Sequence, residues 1–143
     1  MKKYYLLLNY LLLFFTSCNL FAKEKIPYGV EGAIVMDESD KYEYMGLELK
    51  FSNKSNLRVI GFTVVFFVFD ENGEPSSSVK NNIVINVSCD IPSFAVLENC
   101  ISLDNYVYVF EDVRYTSDYL YVSKIIYSDG TIWQDPFGTK SLY

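Results

Sequence analysis

The chain contains no histidine. That absence removes Ser-His-Asp and Cys-His catalysis, histidine metal sites and imidazole proton shuttles. Sulfur is sparse as well: the three cysteines are Cys18, Cys89 and Cys100, and the pair left after export is too few for a metal site without histidine. Basic charge is short, with 12 Lys and Arg against 18 Asp and Glu. Such a surface repels nucleic-acid phosphates and anionic lipid headgroups, so neither is an expected partner. No segment carries sustained helical periodicity with caps, and there is no internal repeat or low-complexity tract. The 143 residues leave room for one domain and not for two ordinary ones.

What is present begins with an export signature. Met1-Lys2-Lys3 is a positive n-region, Tyr4 to Phe15 is an apolar run broken only by Asn9, and Thr16 to Ala22 is a small and polar c-region. The run is shorter than the roughly 20 residues a membrane span needs, which favours a processed signal over an uncleaved anchor. Two routes stay open. Ala22 before Lys23 suits ordinary cleavage, giving a signal peptide of residues 1–22. Phe15-Thr16-Ser17-Cys18 resembles a relaxed lipobox in which Cys18 becomes the lipidated first residue. The expected location is therefore extracytoplasmic: periplasmic, secreted, or tethered as a lipoprotein. Removing residues 1–22 takes away two lysines and no acid, so the net charge falls from −6 to −8. Cys89 and Cys100 remain as an even pair in an oxidising compartment. One disulfide is expected, worth about 3 kcal/mol by loop closure; two buried thiols are the alternative.

Residues 23–41 read as a linker and first strand (Val30 to Met36), and 42–143 as the body of the domain. Met45, Leu47, Leu49 and Phe51 alternate with Gly46, Glu48 and Lys50, the period of a half-buried strand. Leu57 to Phe69 is the most apolar segment, and Val79 to Cys89 turns Ile83, Ile85, Val87 and Cys89 to one side. Phe94 to Leu103, Tyr106 to Phe110, Tyr119 to Tyr127 and Thr131 to Gln134 follow. Asp129-Gly130 predicts a two-residue hairpin that pairs Tyr127 with Ile132 and Ile126 with Trp133. The pattern predicts an all-β antiparallel sandwich of seven or eight strands.

Four stretches carry a resemblance: Phe51-Ser52-Asn53-Lys54-Ser55, Phe69-Asp70-Glu71-Asn72-Gly73, Ile91-Pro92, and Ile125 through Trp133. Over residues 42–135 the chain resembles small immunoglobulin-like or fibronectin-type-III-like domains of bacterial envelope proteins. The resemblance implies an immunoglobulin-like sandwich outside the cytoplasm and brings no catalytic residue or cofactor. The spacing of Cys89 and Cys100 differs from the inter-sheet pair of antibody domains, and Trp133 falls on the last strand.

Two surfaces are candidates for contact. If Phe62, Val64, Phe66 and Val68 point inward, then Val65, Phe67 and Phe69 form an outer apolar stripe that suits a partner, unless Ile26 to Met36 covers it. The tyrosines are the second: Tyr106 with Tyr108 on one strand face, and Tyr119, Tyr121 and Tyr127 on another, form an aromatic platform if these faces adjoin. The acidic clusters Asp37-Glu38-Asp40 and Asp70-Asn72-Glu74 lack calcium-loop spacing and read as solvated turns. The sequence therefore predicts a non-catalytic binding or structural module with an unidentified protein partner, no cofactor and no metal. A lipid-anchored accessory subunit and a carboxylate-based hydrolase are the competing readings.

Overall fold

The computed structural model describes residues 25–37, 44–75, 82–107 and 113–140. The leader with its processing sites at Cys18 and Ala22, the acids Glu38 and Asp40, and Tyr108 lie outside these residues. Seven strands form two antiparallel sheets, and there is no helix among the described residues. The strands are β1 (Tyr28–Asp37), β2 (Tyr44–Asn53), β3 (Val59–Phe69), β4 (Ile83–Ile91), β5 (Val96–Ser102), β6 (Thr116–Tyr127) and β7 (Ile132–Gln134). One sheet has the order β1-β2-β5, the other β4-β3-β6-β7.

The period-two alternation builds the core directly. Met45, Leu47, Leu49 and Phe51 of β2 are buried, as are Phe62, Val64, Phe66 and Val68 of β3. Each such side chain contributes about 1.5–3 kcal/mol by leaving water. Phe51 stacks on Phe62 with ring centroids 4.3 Å apart, and Tyr28 lies nearly parallel to Phe51 at 6.2 Å. Trp133 meets Tyr28 edge-on at 5.4 Å. Asn53 is buried and fully engaged. Its Nδ2 donates to the carbonyls of Leu57 (2.8 Å) and Pro92 (2.9 Å), and its Oδ1 accepts from the Ser55 N–H and hydroxyl. It thereby ties the β2–β3 turn to the β4–β5 loop.

The structure corrects four expectations. Tyr106 begins no strand: Tyr106 and Val107 donate their N–H groups to the Leu103 carbonyl, closing a turn after β5. The hairpin is one residue longer than Asp129-Gly130 suggests, for Ile126 pairs with Ile132 and Ile125 with Trp133. The Tyr127 N–H reaches Thr131 O, and Gly130 takes φ +86°, which makes a three-residue loop ending in a left-handed glycine.

Third, Cys89 and Cys100 are not joined. They lie in different sheets, on β4 and β5. Cys89 packs half-buried against the core, whereas Cys100 is exposed opposite Glu48 on the outer side of its sheet. Two cysteines eleven positions apart can therefore face away from each other, and the pairing rule read from their number fails. Fourth, β1 does not cover the outer stripe of β3, because it pairs with β2 in the other sheet.

Candidate binding face

The ladder between β3 and β6 carries three irregularities in its register, at Val59/Gly61, Thr63/Val64 and Val65/Phe67. A bulge inserts one residue, bends the strand and reverses which side chains face the core beyond it. The shift at Thr63/Val64 splits the tyrosines of β6. Val122, Ile125 and Tyr127 are all buried, while Tyr121 points to the outer side opposite Val65. The single tyrosine face predicted for Tyr119, Tyr121 and Tyr127 thus breaks before Tyr127.

At Val65/Phe67 the bulge has a stronger effect. Val65 pairs with Tyr121 and Phe67 with Asp118, so Tyr119 and Leu120 occupy the extra length of β6. Tyr119 adopts φ +54°, a left-handed conformation unfavourable to any side chain with a Cβ. Asp118 Oδ1 accepts the Tyr119 N–H at 2.7 Å and holds this turn of the backbone. Tyr119 is 62% exposed, and its ring stands edge-on to Phe67 at 5.7 Å. Phe67 stacks in turn on Phe69 at 6.3 Å. Residues nominated on two separate counts therefore form one aromatic cluster on the outer side of the four-stranded sheet.

The remaining nominees fall differently. Val65 is only 4% exposed, closed in by its ladder neighbours Val84 and Tyr121, and offers no contact surface. Tyr121 is half-buried, because the chain after β7 lies on its ring. A Cβ on Gly138 would sit 2.8 Å from Tyr121 Cγ, and Tyr121 donates its hydroxyl to the Pro136 carbonyl at 3.2 Å. Burial, and next the charge of Asp135, push the Tyr121 phenol above its ordinary value. Tyr106 lies in the turn after β5, outside the β3–β6 ladder.

The turn after β7 was not read from the sequence. Asp135 is buried, and its carboxylate accepts the N–H groups of Thr139 (3.1 Å) and Lys140 (2.9 Å) and the Thr139 hydroxyl (3.2 Å). The Asp-Pro-Phe-Gly order is the signal the sequence offers for it, and Gly138 takes φ +65° there. Asp70 is similarly engaged with its own turn, Oδ1 accepting from the N–H groups of Asn72 and Glu74.

The other sheet has a different outer surface. An open depression of about 720 Å³ is lined by Glu31, Glu48, Lys50, Glu98 and Cys100 among others, with Lys50 and Glu98 paired at 3.3 Å. It carries charged side chains where the β3–β6 side is aromatic. The described residues contain no group of three or more acids or cysteines placed to hold a metal ion.

No family model matches this chain, and no curated protein matches it. Among solved structures it is similar to a hypothetical protein from Peptoclostridium difficile 630, with a TM-score of 0.57 and 9% identity. The match covers 83% of this chain and 91% of that one. At that identity the likeness is one of fold.

Proposed function

We propose that this chain is a non-catalytic binding module of a bacterial cell envelope, exported by residues 1–22 and built as an immunoglobulin-like sandwich. The strand order supports the fold reading: in a β1-β2-β5 sheet against β4-β3-β6-β7, the connections β2–β3, β4–β5 and β5–β6 cross between layers, as Greek-key sandwiches do. The partner is a protein, and it docks on the outer cluster of Phe67, Phe69 and Tyr119. The observation that carries this reading is Tyr119 itself. A large aromatic residue held outward in a left-handed conformation, at a bulge, meets two costs that a merely structural strand would avoid. Exposed tyrosine over a phenylalanine base is also the composition of protein contact surfaces.

The test is cross-linking of the full chain in its native envelope, comparing wild type with Tyr119→Ser and Phe67→Asp. A specific adduct present in the wild type and lost in both folded variants supports the reading. An unchanged adduct pattern refutes it. A second reading is a lipid-tethered form retaining Cys18, supported by the likeness of Phe15-Thr16-Ser17-Cys18 to a relaxed lipobox.

A further inference from the structure

The chain enters the sandwich at one end. Lys54 donates its N–H to the Pro27 carbonyl at 2.8 Å, and Tyr28 pairs with Asn53 at the start of β1. The β4–β5 loop is tied to the same end, since the Asn53 N–H donates to Ala95 O at 2.9 Å and its Nδ2 to Pro92 O. Apolar side chains are exposed here. Phe94 in that loop is 71% exposed and takes φ +59°, so a left-handed backbone again carries a large aromatic ring outward. Val96 at the start of β5, Ile60 beside the β3 bulge and Ile132 at the start of β7 are exposed on the adjoining rungs. Lys25 and Lys54 are exposed at this end, while Arg58 is bound to Asp90 at 2.7 Å.

The sequence leads from this end toward the lipidation candidate. Cys18 precedes Lys25 by seven positions, a reach of at most about 25 Å even fully extended. A tether that short keeps this end beside the bilayer. An exposed phenylalanine ring has no polar tip and buries at the boundary between headgroups and acyl chains, while lysines extend beside it toward the phosphates. The acidic net charge of the whole chain directs the contact to zwitterionic lipid.

We propose that the end bearing Phe94, Val96 and Ile60 rests on the lipid surface, with Phe94 seated at the boundary between headgroups and acyl chains. The module is then held with its Phe67–Tyr119 cluster away from the bilayer, because Phe69 pairs with Thr116 at the opposite end of the ladder from Val59 and Tyr127. This inference rests on the tethered reading above.

The test uses the full chain, produced with its N-terminal segment and reconstituted into vesicles of phosphatidylethanolamine and phosphatidylcholine with brominated acyl chains. Phe94→Trp and Tyr119→Trp each add one indole to the native Trp133, and Val96→Trp repeats the measurement should Phe94→Trp not fold. Expected is quenching of the added emission at 94 or 96 by at least about twofold over vesicles without bromine, and none at 119. Flotation with the vesicles but no quenching at 94 or 96 overturns the lipid contact and leaves the tether standing. Failure of the chain to float overturns the tether, and the contact with it.

Discussion

The Tyr28 hydroxyl sits against the backbone of Val122, accepting its N–H at 3.2 Å and facing its carbonyl at 3.5 Å. Tyr28 belongs to β1 in one sheet and Val122 to β6 in the other, next to the bulge where β6 leaves register with β3. The phenol therefore satisfies a buried donor that the irregular ladder leaves over. Removing only the oxygen tests this. Tyr28→Phe keeps the stacking on Phe51 and strands the Val122 N–H, at a cost of about 1–3 kcal/mol. Urea unfolding should show a lower midpoint with an unchanged slope; a midpoint equal to wild type would show that water or another group takes over the donor.

Backbone strain at Tyr119 can be separated from the value of its ring. Tyr119→Ala and Tyr119→Gly both delete the contact with Phe67, and only glycine relieves φ +54°. The glycine variant should be the more stable of the two by about 1 kcal/mol. Equal stabilities would mean that the strand relaxes out of the left-handed conformation once the ring is gone.

Much of the sandwich is legible in the sequence because a strand with one buried face writes a period of two. Met45 through Phe51 and Phe62 through Val68 show it, and both sets are buried as read. The outer cluster was legible only in parts. Phe67 and Phe69 follow from β3 alone and Tyr119 from β6 alone, but their meeting depends on register. Register in turn depends on bulges, which no residue type announces here. One inserted residue near Ser123 sends Tyr127 inward while Tyr121 stays outward. The cysteines fail for a related reason: sheet membership is a property of topology, and Cys89 and Cys100 lie on consecutive strands that belong to different layers. Asn53 and Asp135 look like ordinary turn residues in sequence, and only burial reveals that each organises a whole end or tail.

Gly138 is required by two constraints at once. Its φ is +65°, and a Cβ would stand 2.8 Å from Cγ of Tyr121, inside any real contact. Gly138→Ala should lift the turn off Tyr121 and destabilise the chain by about 1–3 kcal/mol. Limited proteolysis should then cut after Phe137 or Lys140 faster than in wild type. Unchanged cleavage would mean that the Asp135 hydrogen bonds hold the turn without that contact.

The thiols should differ in reactivity. Burial, and then the neighbouring Asp90 carboxylate, raise the Cys89 thiol above its ordinary value, and its Sγ lies toward Val59 O at 3.9 Å. Cys100 is exposed. Maleimide labelling of the folded protein without reductant should modify Cys100 first and Cys89 only on unfolding. A chain about 2 Da lighter that takes no label on either residue would instead mean that the two are bridged.

Stability against pH should be flat near neutrality and fall on the alkaline side. With no histidine, no side chain has an ordinary value between about pH 6 and 8. Three described groups are shifted upward. Cys89 rises by burial and then Asp90; Tyr121 rises by burial and then Asp135. Tyr127 rises by burial, against a hydrogen bond with Ser55 that lowers it and the charge of Asp129 that raises it. Each group holds its proton more tightly folded than unfolded. Their contribution is therefore complete below the unfolded values, 9.0 for the thiol and 10.0 for the phenols, and is lost as pH rises through the higher folded ones. Thermal melting should thus begin to fall above about pH 9, first through Cys89. Cys89→Ala should delay that onset toward the tyrosine range. An onset that does not move would remove Cys89 from the alkaline transition and leave it to the two tyrosines.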